Sequence, residues 1–486
     1  MRLRQRGQAI ERAPVVFETS ADHLGVSCHV ERRAPTATVW FIDRPDLLNL
    51  HIYLGSERGA IVKLALPSDI QPAMHRDFFA FRLRSAWTVA GVNYERDSLL
   101  GISVSAFLVG DRKFAVLFQP SPCRALQDFF WAGNKLVLSI LEELRPVIEI
   151  CDADYRWARE TLPGLPQVGV VDVRPFDQEQ LEGNGDLLVE TENPITPGSL
   201  SLIEGGVGSP IVLRPAPRLF IAQGLVVSQH EAVSTDGERI PYIQTGPVIE
   251  TGNAPVHMTG DGGFGLSVRP HYDVTLGKLW LERGGTAVQA ALRRGGEFGA
   301  SWHDAGRGAG KTLSHDDFAA VAADLVRRGV TQYKRIAAAG CSNGGLLIAN
   351  MLTRYPDRFG ALLCTLPLVD MRRYTTFSGG ASWIAEYGDP SKPDDWEWLK
   401  SYSAYHAAEP DRPYPPILIT ATRHDDRVHP GHTRKMLAKL QSMKYEAYLY
   451  EVPGGERGLG WKSESATLQA LGLQFLKRKI GWRDYE

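Results

Sequence analysis

The chain has 486 residues, 43% of them apolar, and a formal charge of −2. That length exceeds what one hydrophobic core serves, so two or three domains are expected. The near-neutral balance excludes the long-range basic field of a nucleic-acid binder, and no run approaches the roughly 18 uninterrupted apolar residues of a membrane span. Met1–Arg6 is basic, but no apolar stretch follows it, which argues against a signal peptide. The five cysteines (Cys28, Cys123, Cys151, Cys341 and Cys364) are odd in number and lack metal-ligand spacing. They read as buried thiols in a reducing compartment, so a cytoplasmic setting is expected.

As far as about Pro217 the chain is a series of short β-like runs separated by turn residues. They include Thr38–Ile42, Leu50–Leu54, Phe114–Phe118, Val168–Val173 and Asp186–Glu190. Many short strands at fairly even spacing predict a sandwich, a barrel or propeller blades. The stretch Leu126–Ile148 is more helical in period and interrupts the series. No internal repeat is legible from self-similarity alone.

After Pro217 strands and helices alternate. Ala287–Leu292 is a buried strand. A helix starts at Ser314–Asp317, with Ser314 as N-cap and an acid at the third helical position, and runs from Phe318 to Arg328 with Gly329 as its stop. A strand over Arg335–Ala339 and a helix over Leu346–Leu352 follow. Then come the strands Ala361–Thr365 and Ile417–Ala421, the helix Thr433–Ser442 and the strand Ala447–Tyr450. A last amphipathic helix carries Leu468, Leu471, Phe475 and Leu476. Such an order implies a mostly parallel sheet with helices on both faces.

Gly340-Cys341-Ser342-Asn343-Gly344 sits between the strand over 335–339 and the helix over 346–352. A Gly-x-Ser-x-Gly turn in that context is the nucleophile elbow of an α/β-hydrolase: small residues let the backbone turn tightly and lift the serine hydroxyl out of the sheet. In that fold the acid follows the serine in the chain. Asp425, in Arg423–Pro430 just after the strand Ile417–Ala421, stands where a triad acid belongs. Arg307 and Lys311, in Gly306–Lys311, superficially suggest a phosphate loop, but the spacing is wrong and the segment reads as a flexible loop.

Further blocks make a resemblance specific. Ser342–Leu347, Asp370-Met371, Trp383 with Glu386-Tyr387-Gly388, and Asp425–Val428 resemble the hydrolase domain of the prolyl oligopeptidase family. So do Ser234–Pro241, Gly262-Gly263-Phe264 and Arg294–Gly299, and the blocks run in family order from about residue 218 almost to the C-terminus. Leu83–Thr88 and Pro197–Leu200 resemble the later blades of that family's β-propeller. The resemblance implies an α/β class: a partial all-β propeller over residues 1–217, then a doubly wound, mostly parallel α/β-hydrolase domain over residues 218–486. It implies Ser342 as nucleophile, Asp425 as the acid orienting the base, and the Asn343 N–H as oxyanion donor. Trp383 would stack on a substrate proline ring, with Phe264, Leu368, Tyr387 and Val428 lining the same slot and Arg427 holding a substrate carbonyl. A flat apolar slot suits proline, and a fixed guanidinium suits a peptide backbone. No cofactor or metal is implied.

The sequence departs from the family pattern in three places. The family's Gly-His-Gly loop is replaced by Pro453–Gly458, so Glu456 or Arg457 stands at the position of the general base, and no histidine follows His432. Arginine cannot accept a proton near neutral pH, and a glutamate near its ordinary pKa of about 4.3 is a weak base. His424, His429 and His432 cluster around Asp425 as alternative bases. Asp261 replaces the family's oxyanion tyrosine, where an ionised carboxylate would repel the developing charge. Finally, residues 1–217 hold about four to five blades rather than a closed ring of seven, which leaves edges for another copy of the chain to cover.

Three functions stay open on these residues. One is a serine hydrolase of weak or altered activity on short proline-containing peptides or small esters and amides. A second is an inactive relative that binds a peptide or protein partner. The third is a biosynthetic transferase or hydrolase acting on a small molecule. None involves nucleic acid or a membrane.

Overall fold

The computed structural model describes residues 1–31, 38–46, 48–56, 59–177, 185–452 and 462–483. The first half forms four successive four-stranded sheets, each with antiparallel neighbours, at the lower end of the expected blade count. Neighbouring sheets stack face to face. Trp40 and Ile52 of the first pack on Phe79 and Phe81 of the second. Ala80 and Leu99 of the second meet Leu136 and Leu138 of the third, and Val137 and Ile148 of the third meet Val171 and Val189 of the fourth. This is the partial propeller that the resemblance implied. Its last strand, Ile211–Pro215, is an exposed edge that presents Ile211, Val212 and Leu213.

The segment Leu126–Ile148, expected to be helical, is instead the heart of the third sheet, with strands Arg124–Ala132, Lys135–Glu142 and Arg145–Asp152. Leu136, Leu138 and Ile140 face one neighbouring sheet while Val137 faces the other. A strand buried on both faces has a continuous apolar run instead of a period of two, and such a run cannot be told from a helix by periodicity.

The second half is built on one eight-stranded sheet. Its strands are β1 (Leu225–Val233), β2 (Arg239–Pro247), β3 (Val256–Gly260), β4 (Thr286–Ala290), β5 (Ile336–Cys341), β6 (Ala361–Thr365), β7 (Ile417–Thr422) and β8 (Ala447–Val452), in the order β1-β2-β4-β3-β5-β6-β7-β8. β1 and β2 are antiparallel to their neighbours and the rest are parallel. Both faces are covered, as expected of a doubly wound sheet. On β5, Ile336 and Ala338 pack against helices α1 (Lys311–Arg327) and α2 (Asn343–Arg354) through Phe318 and Leu347. Ala337 and Ala339 point the other way, onto Leu473 and Leu476 of the last helix. Helix α3 (Gly431–Ser442) contributes Met436 and Leu440 to the first face, and α4 (Lys462–Lys479) covers the second.

Local expectations change at several points. α1 begins at Lys311, one turn before Ser314, whose hydroxyl donates back to the Lys311 carbonyl from inside the helix instead of capping it. Leu471 of α4 is exposed, while Leu468 and Leu476 are buried. Only Cys151 and Cys364 are buried; Cys28, Cys123 and Cys341 lie at accessible positions, and all five are free thiols. Among the described residues, no helix is long and apolar enough to cross a membrane.

Because Leu138 is fully buried between two blades, Leu138→Ala is expected to destabilise the protein by about 2–5 kcal/mol, read from the urea midpoint. A change below about 0.5 kcal/mol would contradict the stacking of these sheets.

Candidate active site

Ser342 is placed by the end of β5 and the start of α2. Its N–H donates to the Thr365 carbonyl of β6 at 2.9 Å, and its own carbonyl accepts from Leu346 N–H of α2 at 3.0 Å. Between those bonds its backbone takes φ 56° and ψ −111°, a sparsely populated conformation for a residue with a Cβ. The turn closes so tightly that a Cβ on Gly340 would lie 2.3 Å from the Gly344 carbonyl oxygen. As the first residue of α2, Asn343 has an N–H with no acceptor inside the helix.

The Asn343 side chain, almost wholly buried, lies at the centre of the site. Its Nδ2 donates to the Asp261 carbonyl at 2.8 Å and to Asp261 Oδ1 at 3.0 Å. Its Oδ1 accepts from the Tyr387 hydroxyl at 2.8 Å and from Lys311 Nζ at 3.1 Å. Gly263 passes so close that a Cβ there would meet Asn343 Nδ2 at 2.3 Å. Asp261 Oδ2 accepts from Gly344 N–H at 3.1 Å. The carboxylate at the family's tyrosine position is thus bound to the backbone and side chain of the elbow. Burial raises its pKa, against the opposing charge of Lys311.

Lys311, expected in a flexible loop, is fully buried. A 3₁₀ turn over Gly308–Gly310 delivers it into α1, and its Nζ donates to the Gly262 carbonyl at 2.6 Å. Burial, reinforced by the Arg294 guanidinium, pushes its pKa down to about 7.

A second buried group holds the neighbouring loop. Glu386 Oε1 accepts from Phe264 N–H at 2.7 Å and from Arg294 Nε at 2.5 Å, and its Oε2 lies 3.2 Å from His303 Nε2. Phe264 has a left-handed φ of 57°, so the Glu386 bond restrains a strained residue at the rim. Burial alone would raise the Glu386 pKa; the His303 hydrogen bond and the Arg294 charge outweigh it and hold the acid down to about 2.

Trp383, Leu368, Tyr387 and Val428 pack in one apolar cluster with Leu346 of α2. Phe264 meets the Tyr387 ring edge-on at 5.7 Å. Asp425 is buried two strands from Ser342, after β7, and its Oδ1 accepts from Arg427 N–H and Val428 N–H, each at 2.8 Å. Arg427 is exposed beside it. The alternative histidines differ in their commitments. His432 Nδ1 accepts from Val369 and Asp370 N–H at 3.3 and 3.1 Å, and burial pushes its pKa down to about 4. His429 Nδ1 accepts from Gly431 N–H at 3.0 Å while its ring stacks on Phe377. His424 is exposed. Glu456 and Arg457 lie outside the described residues.

Known proteins resemble this chain in sequence and in fold. The model for the prolyl oligopeptidase family matches residues 270–483. Residues 270–483 belong to that family. An uncharacterized peptidase of Sinorhizobium fredii is 34% identical over 406 residues, 82% of this chain and 55% of its own. A prolyl endopeptidase of Elizabethkingia meningoseptica is 33% identical over 260 residues, 53% of this chain and 37% of its own. The solved structure of a post-proline cleaving enzyme from Rickettsia typhi matches 98% of this chain and 70% of its own at TM-score 0.86 and 25% identity. The chain therefore spans little more than half the length of the first of these curated relatives.

Lys311, Arg294, Glu386 and His303 were missed as site residues. Arg294 and Glu386 lie in blocks that carried the resemblance, but a buried ion pair has no local signature. Lys311 was masked by the glycines before it.

The Glu386 ion pair has a testable pH signature. With a folded pKa of about 2 against an ordinary 4.5, its contribution is complete above pH 4.5 and is lost as pH falls through 2. Glu386→Gln is expected to remove roughly 2–4 kcal/mol at neutral pH and to flatten the acid limb of a urea-midpoint-against-pH profile. An unchanged acid limb would show that Glu386 is not so paired.

Proposed function

We propose that this chain is a serine hydrolase of the prolyl oligopeptidase type, acting on short proline-containing peptides with reduced turnover. The reading is carried by the strained backbone of Ser342 at the β5–α2 turn, with Asp425 oriented by two backbone N–H groups two strands away. Ser342 Oγ would attack the substrate carbonyl and the Asn343 N–H would donate to the oxyanion. The substrate's proline would enter the slot of Trp383, Phe264, Tyr387, Leu368 and Val428, and Arg427 would take a peptide carbonyl. The names of the relatives, a prolyl endopeptidase and a post-proline cleaving enzyme, support proline in that slot. The five free thiols support a cytoplasmic setting.

Turnover is the weak link. With Glu456 or Arg457 at the base position, the loss relative to a histidine is about 10²–10⁴. Esters with good leaving groups need less protonation on departure, so they would be cleaved best. His432 and His429 each use Nδ1 to hold a backbone N–H, which favours a second reading: a protein that binds peptide in the slot without turning it over.

A fluorophosphonate probe separates the two. Labelling of the wild type that disappears in Ser342→Ala supports the hydrolase. No wild-type labelling, with labelling appearing in Glu456→His, supports the binder and overturns the active reading.

A further inference from the structure

Helix α4 covers the second face of the sheet only in part. Ile243, Gln289, Thr259, Ala339 and Leu363 are paired in register across β2, β4, β3, β5 and β6. Their side chains therefore share one face, the one on which Ala337 and Ala339 meet Leu473 of α4. Over that row lies a cavity of about 460 Å³, roofed by Leu473 and Gln469 of α4 and by Leu276 and Leu281 of segment 274–281. The centre of the row is Thr259 and Ala339, whose short side chains leave the space open. Thr275 Oγ1 donates to Gln469 Oε1 at 2.8 Å and ties the two parts of the roof together. One end of the cavity is the underside of the elbow, at Gly340, Cys341 and Asp261.

Its size is typical of a ligand pocket, and its chemistry is selective. Among the described residues that line it there is no lysine or arginine, whereas Asp261 and Asp273 are both present. Both acids are already hydrogen-bonded: Asp261 accepts from Asn343 Nδ2 and Gly344 N–H, and Asp273 Oδ1 accepts from Leu276 N–H at 2.9 Å. An anion entering here would meet two carboxylates and no counter-charge. His257, 8% exposed in β3, also borders the cavity, and its Nδ1 has no hydrogen-bond partner among the described residues. The Trp280 ring packs edge-on against it at 5.5 Å. Burial pushes the His257 pKa down to about 4, against the charge of Asp273, so the ring is uncharged at neutral pH. A buried polar atom left unpaired costs free energy that a ligand's hydrogen-bonding group can recover.

We propose that this cavity is a binding site for a small, uncharged, largely apolar molecule, seated on the sheet beneath the elbow and separate from the Trp383 slot. None of the slot residues lines it; they pack with Leu346 of α2 instead. The proposal is therefore independent of the peptide reading and of whether Ser342 turns anything over. A molecule of this kind gains affinity by displacing poorly ordered water from apolar walls.

Two fluorescent probes test it. N-phenyl-1-naphthylamine and 8-anilino-1-naphthalenesulfonate share one skeleton and differ by a sulfonate. Each is titrated against the whole chain and followed by its emission. The uncharged amine is expected to saturate at one per chain and to bind about 10-fold tighter than the sulfonate. Thr259→Phe fills the centre of the row and should weaken the amine by about 10-fold; matched circular dichroism spectra check that the variant is folded. Cys341 gives a second readout on the unaltered protein. Iodoacetamide alkylation is run at about pH 9, because burial pushes this thiol up to about 11. Bound amine should slow alkylation of Cys341 by about 5-fold at saturating probe and leave the accessible Cys28 and Cys123 unchanged. No binding of the amine, equal binding of the sulfonate, an affinity unchanged in Thr259→Phe, or alkylation of Cys341 at the same rate with and without the amine would each overturn the proposal. A probe lodged in the Trp383 slot would leave the Thr259 and Cys341 readouts unmoved and so counts against it. Fluorophosphonate labelling of Ser342 is scored separately, so a failed cavity site is not confused with a failed nucleophile.

Discussion

The site depends on the side chain of one buried asparagine. Ser342 occupies a backbone conformation that costs on the order of 1–3 kcal/mol and persists only where its surroundings over-determine it. Asn343 supplies much of that determination. It draws a donor from α1 through Lys311, a donor from the Trp383 segment through Tyr387, and two acceptors from the loop after β3 through Asp261. Three segments far apart in sequence meet on the amide of α2, and each of its contacts is a hydrogen bond within normal range. A buried polar network of this kind specifies a unique geometry when every member is satisfied.

That arrangement changes the meaning of Asp261. At the family's tyrosine position, an acid looked like a charge aimed at the oxyanion. In the structure its oxygens accept from Asn343 Nδ2 and Gly344 N–H, so the carboxylate supports the start of α2 from below. The buried cation that balances it is Lys311, and Arg294 and Glu386 form a second pair beside them. Buried charges persist where partners and hydrogen bonds compensate their desolvation. Here two acids and two bases do so while fixing both Asn343 and the backbone of Phe264.

The sheet was legible because its strands are short apolar runs bounded by turn residues, and because Gly340 to Gly344 announces a turn that only a strand-to-helix junction uses. The helix after that turn, read as Leu346–Leu352, proves to run from Asn343 to Arg354. The third blade was not legible: Val137 and Leu138 are buried against different sheets, which erases the alternation that marks a strand. Lys311 was not legible for the opposite reason. Three glycines in Gly306–Gly310 suggested freedom, whereas Lys311 at the end of the segment is buried and bonded to the Gly262 carbonyl and to Asn343, a tertiary fact with no trace in local composition. Ser342 and Asp425 were singled out by the turn motif and by chain order and the slot residues by family pattern, whereas the bonds that hold Asn343 and Phe264 are long-range ones that no window of sequence contains.

The named bonds that hold Asn343, Asp425 and Phe264 join described residues. Asn343 is held by α1, the loop after β3 and Tyr387; Asp425 is held by its own following turn; Phe264 is held by Glu386. In a serine hydrolase the base moves protons, whereas the oxyanion donor and the binding slot stabilise charge and position the substrate. These are separable contributions, and removing the base alone leaves a substantial residual effect. A substitution at position 456 should therefore alter the rate of proton transfer more than the architecture of the site. For that reason Glu456→His is a direct chemical question put to the elbow at Ser342, and under the proposed function peptide binding can outlast the loss of turnover.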